Sequence, residues 1–285
     1  MKSDKTELER KFSLTHEEKI FWEENGYIVR HDVFTEKEND ILRKIADDIA
    51  EGKRTFPTAN IDQNALVRDG KIDASGIHAM HKIHHVSCYC PEFLERVRDT
   101  RLTDPIVDLL GPNLLSQGNL YIWKAPEIGL GFPWHQDKWY FNWQYKTEMT
   151  VGTWTAIDAA DKENGCLYVI PGSHKYGILK HVDLEGSQQN EFKIARDAKD
   201  EDGVAVEVPP GAVVWFNNQL LHKSTDNHSQ RFRRCNVVHY ISANAERIPK
   251  KEGQNVRPVM WVRGDTYSEK MEPVYQDVLP IPDPN

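Results

Sequence analysis

From Leu114 onward the chain is cut into short apolar runs by turn-forming residues, and this punctuation restricts the possible folds more than any other feature. The runs predicted as strands are 117–124, 132–142, 149–158, 165–170, 204–208, 212–217 and 232–242. Between them stand Asn164-Gly165, Pro171-Gly172 and Pro209-Pro210-Gly211, where glycine and proline supply backbone angles that strands do not use. Short strands bury their apolar faces only against another sheet or against helices. The expected class is therefore α+β, with one β-sandwich or barrel and helices packed on it.

The helices come first. Thr15-His16-Glu17-Glu18 has the form of a capping box, and the helix it opens should end at Asn25-Gly26, followed by a short Tyr27-Ile28-Val29 strand. A second box, Thr35-Glu36-Lys37-Glu38, starts a helix with Ile41, Leu42, Ile45 and Ile49 at helical spacing. Residues 52–76 are polar and rich in turn formers, and read as a loop covering a site. Pro91 to Leu110 reads as one helix, broken by Gly111-Pro112-Asn113. The proline-rich 265–285 tail reads as extended over the surface or disordered. No internal repeat or low-complexity tract is present.

The charge balance narrows the function. With a net charge of −8, the chain lacks the basic footprint that a nucleic-acid or anionic-membrane surface requires. No run of about 18 apolar residues could span a bilayer, and the charged opening MKSDKTELERKF lacks the apolar core of a secretory signal. Cys88, Cys90, Cys166 and Cys235 are sparse, and the Cys88-x-Cys90 pair has no partner pair to complete a zinc site. A reduced, cytoplasmic chain follows as the expectation. The sequence carries no signal for oligomeric state.

The chemistry gathers around Trp134-His135-Gln136-Asp137. On a strand, His135 and Asp137 would share a face and Gln136 would oppose them, although an isolated His-x-Asp is common by chance. His222, at the exit of the apolar 212–221 run, is the candidate third ligand; a capped core histidine is the alternative. Two histidines and one carboxylate with open positions suit non-haem Fe(II) oxygenases. Arg233 follows on the next predicted strand, where a guanidinium can grip the far carboxylate of a dicarboxylic 2-oxo acid in bidentate fashion. Alternation places Arg233 with Cys235, Val237 and His239, and turns Arg234 to the opposite face; Ser224 shares the face of His222 and could add a hydroxyl. His78, His81, His84 and His85 form the densest histidine group, read as strand histidines beside a cleft rather than as a metal cluster.

In this order the motifs resemble the phytanoyl-CoA dioxygenase family of Fe(II)/2-oxoglutarate oxygenases. The resemblance runs from about Leu14 to Ser242, through Asn25-Gly26-Tyr27, Gly111-Pro112-Asn113, Trp134-His135-Gln136-Asp137, Asn164-Gly165-Cys166-Leu167, Pro171-Gly172-Ser173-His174, His222-x-Ser224 and Arg233. It implies a double-stranded β-helix (jelly-roll, cupin-like) core. One oxygenase domain would fill 1–285: a mainly helical 1–113, a jelly roll over 114–245 and a C-terminal extension over 246–285. It also implies Fe(II) on His135, Asp137 and His222, with 2-oxoglutarate held by Arg233 and Ser224 and its pocket lined by Lys82 and Trp154. O2 is the second cosubstrate and ascorbate a supporting reductant. His174 belongs to the pattern as a structural residue.

Two positions bear on outcome. Asp137 stands where related halogenases carry a small residue, which points to hydroxylation, and Lys223 stands where glycine is frequent and is expected to face solvent. The expected reaction consumes 2-oxoglutarate and O2, releases succinate and CO2, and hydroxylates an aliphatic C–H of a small molecule. A non-redox zinc or manganese enzyme on the same barrel, and a catalytically silent binding module, are the competing readings. Gln136, Trp139, Tyr140, Trp143 and His85 are the candidate substrate-pocket residues.

Overall fold

The computed structural model describes residues 10–140, 145–183, 193–249 and 257–264. Both capping boxes form as expected. The first helix, His16–Asn25, is capped by Thr15 and Glu18 and closed by Gly26 in the left-handed region at φ 81°. The second, Glu36–Ala50, is capped reciprocally by Thr35 and Glu38. Its Leu42, Ile45 and Ile49 are buried, whereas Ile41 is 49% exposed, because successive residues turn by about 100° and Ile41 falls off the buried stripe. The stretch predicted as one helix is two, Pro91–Arg98 and Thr100–Leu110, because Asp99 leaves helical angles and its carboxylate accepts from Arg101 N to cap the second.

Among the described residues the largest sheet has eight strands, in the order Tyr27–Arg30, Val213–Asn217, Val151–Ala156, Arg233–Ser242, Leu114–Lys124, Met80–His84 and Ile61–Gln63, with Val259–Arg263 also on Leu114–Lys124. A four-stranded sheet, Val204–Val206, Leu167–Val169, His222–Ser224 and Phe132–His135, faces it. Pairing in both is antiparallel. Ile122, Trp154, Leu167, Val169, Val214, Phe216 and Val237 form the core between the sheets. The outer face of the large sheet is covered by helices: Val213, Trp215 and Tyr240 pack with Trp22, Leu102 and Ile106, and Trp215 Nε1 donates to Leu102 O at 3.1 Å. Cover on both faces is why 212–217 reads as continuously apolar rather than alternating. This is the expected jelly roll with helices on one side.

Two expectations about local structure are corrected. The 132–142 run is strand only to His135, and Asp137–Tyr140 is a 3₁₀ turn. The 52–76 region is not all loop: Ile61–Gln63 adds a strand to Met80–His84, bringing Asp62 opposite Lys82. The 265–285 tail and Trp143 lie outside the described residues.

Candidate metal centre and cosubstrate pocket

His135 and His222 are directly opposed partners in the antiparallel pairing of Phe132–His135 with His222–Ser224. Their side chains therefore leave the same face of the small sheet, with ring centroids 4.1 Å apart. Asp137 reaches the same point from the 3₁₀ turn. That turn is held by Lys138 N donating to Asn218 O at 2.9 Å and by the Gln136 side chain, which donates to Gly177 O and Gln219 O and accepts from Leu179 N. One donor atom from each of His135, Asp137 and His222 lies within 4.8 Å of the other two.

The tautomers are set by the backbone. His135 Nδ1 lies 2.8 Å from Pro133 O and His222 Nδ1 lies 2.9 Å from Leu220 O, so each Nδ1–H donates outward and each Nε2 lone pair faces Asp137. Those Nε2 atoms are 3.6 and 3.5 Å from the Asp137 oxygens. Burial pushes the His222 imidazole down to about 4, with neighbouring His135 adding to it, and burial likewise pushes His239 down to about 4. Burial opposes ionisation of Asp137, but His239, His222 and His135 outweigh it and hold that carboxyl well below the usual range. A neutral imidazole and an ionised carboxylate are the protonation states in which these groups bind a divalent cation.

The cavity beside this cluster is lined by Lys82, Trp154, Ser224, Arg233, Tyr140 and His239, with Leu167, Phe216 and Val237 as apolar wall. Arg233 is 2% exposed. Its Nη1 donates to Cys235 Sγ at 3.0 Å, its Nε has no partner, and no carboxylate of the described residues lies within ion-pair distance. A buried guanidinium left in this state fits an anion that the cavity receives. Its rivals are accounted for: Arg234 pairs with Asp158 and Asp47 on the opposite face, and Arg231 pairs with Asp161 and Glu163 at the surface. Trp154 lies under the Arg233 guanidinium at 5.7 Å, and Lys82 Nζ is 3.2 Å from Asp62.

Three of the candidate substrate-pocket residues do not line this cavity. Gln136 is fully buried and spends its amide on three backbone groups, away from the cavity. Trp139 stacks on His181 at 4.9 Å rather than lining the cavity. His85 leaves the strand in the left-handed region at φ 58°, so its neighbour His84, on the face of Lys82, lines the cavity instead. Tyr140 does line it. Lys223 does not stand free in solvent: its ammonium pairs with Asp200 and lies over Trp134 at 5.1 Å. The sequence reading had not singled out Arg257, Phe216 or Leu167 as cavity residues. Alternation from Arg233 already placed His239, whereas no sequence signal marked Arg257. His174 is structural as expected, packed where any side chain on Gly26 would collide with its ring.

A jelly roll with this candidate His-Asp-His triad is of the non-haem Fe(II)/2-oxoglutarate-dependent oxygenase class. The chain belongs to the phytanoyl-CoA dioxygenase (PhyH) family, whose model matches residues 22–235. Among its relatives, a probable phytanoyl-CoA dioxygenase of Caenorhabditis elegans is 29% identical, the alignment covering 84% of this chain and 79% of that protein. The human peroxisomal phytanoyl-CoA dioxygenase is 28% identical, with 84% and 71% covered. Among solved structures, EctD from S. alaskensis with 2-oxoglutarate and 5-hydroxyectoine superposes with a TM-score of 0.67 at 20% identity, over 90% of this chain and 86% of that one. EvdO2 from Micromonospora carbonacea var. aurantiaca complexed with 2-oxoglutarate gives 0.61 at 22% identity, over 85% and 96%.

Proposed function

We propose that this protein hydroxylates an aliphatic C–H bond of a small free molecule, with iron on His135, Asp137 and His222 and 2-oxoglutarate anchored by Arg233 and Ser224. The observation that carries the reading is Arg233, buried without a counter-charge in the same cavity as the three ligands. The chemistry supplied by bound iron is oxidation of a C–H bond coupled to conversion of 2-oxoglutarate and O2 to succinate and CO2. The chain's own part is positional. His135 and His222 present Nε2 because their Nδ1–H groups are tied to Pro133 O and Leu220 O. Asp137 adds one negative charge. Leu167, Phe216, Val237 and Trp154 exclude water from the reacting centre.

The cavity beside the three proposed ligands is about 260 Å³, just below the roughly 300 to 1,000 Å³ of most ligand pockets. That supports a small substrate beside the cosubstrate. A second reading, an acyl-CoA thioester with only its acyl end in the cavity, is favoured by the names of relatives at 28–29% identity. The four cysteines are free and buried, which supports a reducing compartment, and we assign the chain to the cytoplasm. Among the described residues no helix is long and apolar enough to cross a membrane.

The test is succinate release from purified protein, Fe(II), 2-oxoglutarate and ascorbate, read against a metabolite panel and phytanoyl-CoA by a mass gain of one oxygen. Stimulation by a free metabolite supports the first reading and stimulation by the thioester the second. No succinate from either, with no 2-oxoglutarate binding, overturns both. A zinc or manganese hydrolytic enzyme would keep its activity in Arg233→Ala, whereas the oxygenase loses its cosubstrate.

A further inference from the structure

Lys124 is fully buried yet does not line the cavity. It ends the strand Leu114–Lys124 directly opposite Arg233, so the two side chains leave the same face of the large sheet. No carboxylate of the described residues lies within ion-pair distance of either. Instead, Lys124 Nζ donates to Ser224 Oγ at 2.7 Å, to Gly165 O at 3.4 Å and to Thr225 O. The surroundings are shaped for it. Asn227 Nδ2 donates to Lys124 O at 3.0 Å and to Ala125 O at 3.2 Å, pinning the end of the strand. Gly165, at φ 83°, could carry no side chain without meeting the ammonium.

Burial, with Arg233 beside it, pushes the Lys124 pKa well down, but its three acceptors, Ser224 Oγ, Gly165 O and Thr225 O, match the three N–H bonds of the charged form. An ammonium only donates, and a hydroxyl has one hydrogen and two lone pairs. With one Ser224 lone pair taken by Lys124, the hydroxyl hydrogen cannot point back at the lysine. Among the described hydrogen bonds Ser224 Oγ donates none, and Arg233 on the cavity side is itself only a donor. The remaining direction is into the cavity, toward whatever anion Arg233 holds.

We propose that Lys124 is a positioning residue that fixes the Ser224 hydroxyl as a donor to the distal carboxylate of 2-oxoglutarate, so that the site selects 2-oxo diacids over 2-oxo monoacids. This rests on the reading of the cavity as the 2-oxoglutarate pocket. A lysine over a hydroxyl polarises that O–H, and hydrogen bonds to charged groups gain most from such polarisation. The lysine acts through Ser224 and touches neither cosubstrate nor metal.

The experiment is anaerobic calorimetry on Mn(II)-loaded protein, measuring the Kd for 2-oxoglutarate and for 2-oxovalerate, which has the same chain length and no distal carboxylate. The readout is the ratio of the two. Lys124→Met is expected to shrink that ratio on the order of tenfold, with 2-oxovalerate binding and Mn(II) content unchanged. Lys124→Gln keeps an N–H donor and is expected to stay within about threefold of the wild type; Lys124→Leu, which also removes the donor, takes the place of the methionine variant if that one does not fold. Adding Ser224→Ala to Lys124→Met should cause no further loss, since one element acts through the other. A wild-type ratio retained in Lys124→Met overturns the proposal. So does a glutamine variant that falls as far as methionine, or a double variant that loses both effects in sum. Failure of wild-type protein to bind 2-oxoglutarate at all would overturn the functional reading, whereas tight wild-type binding with an unmoved ratio overturns only the role of Lys124.

Discussion

At the scale of single residues, the site is a division of labour between a charge that is satisfied and charges that are not. Asp137 sits among three imidazoles and is held ionised before any cation arrives. Arg233 is buried with its Nε unpartnered. Two substitutions separate these roles. Asp137→Ala should abolish stoichiometric Fe(II) or Mn(II) binding, read by metal analysis after gel filtration, with succinate release falling to background. Arg233→Ala should leave metal content intact and weaken 2-oxoglutarate by about 10- to 100-fold, as expected for loss of a buried charge-assisted contact. Equal loss of metal in both variants would mean that the arginine supports the fold rather than the cosubstrate. At this scale the proposed ligands and Arg233 could be picked out of the sequence by residue type, motif order and the family resemblance those motifs carry. The sequence did not show that the Gln136 amide bonds to Gly177, Leu179 and Gln219, because no local pattern brings those residues near it.

Among the secondary elements, the start of the second helix is tied by a polar network. The Glu38 carboxylate bonds Thr35 N at 2.8 Å and Arg101 Nη2 at 2.6 Å, while the Arg96 and Arg101 guanidinium groups lie over the Phe34 ring. Thr35→Ala should cost about 1 kcal/mol in urea unfolding, the usual worth of an N-cap. The Arg101 hydrogen bond, first among the causes, lowers the Glu38 carboxyl from 4.5 to about 2. A depressed carboxylate contributes stability above its unfolded value and loses it as pH falls through the folded one. The stability gap between wild type and Glu38→Gln should therefore be full above pH 4.5 and close between 4.5 and about 2; a gap independent of pH would show that the ion pair contributes nothing. The helix starts were readable because a capping box is a bond between residues three apart. The 3₁₀ turn at Asp137–Tyr140 was not, because an aromatic run suits a strand and what bends it is a hydrogen bond to Asn218 O, some eighty residues away in the chain.

For the molecule as a whole, the residues of the proposed site are drawn from both sheets. Asp137 and the opposed histidines belong to the small sheet and its exit turn, while Arg233 and Trp154 belong to the large one. Metal with 2-oxoglutarate should thus stabilise the sandwich against global unfolding. At about 100 times the Kd the gain is about 2.7 kcal/mol, or a rise of roughly 4–5 °C in Tm for a chain of this size. Arg233→Ala should respond to Mn(II) alone and show no further rise with 2-oxoglutarate, by differential scanning fluorimetry. A cosubstrate shift that survives in the variant would place the anion elsewhere.

What can be read from residues in a row is whatever depends on neighbours in the chain: caps at three-residue spacing, turns at glycine and proline, alternation on the strand from Arg233 to His239, and the order of motifs. That was enough for the jelly roll, and it named the residues of the proposed site. Pairing register is different, because a shift of one residue sends every side chain of a strand to the other face. The opposition of His222 with His135, and of Arg233 with Lys124, is a property of the assembled sheets. The lysine behind Ser224 meets it across 100 residues of chain. Such contacts arise only once two sheets have closed over one core.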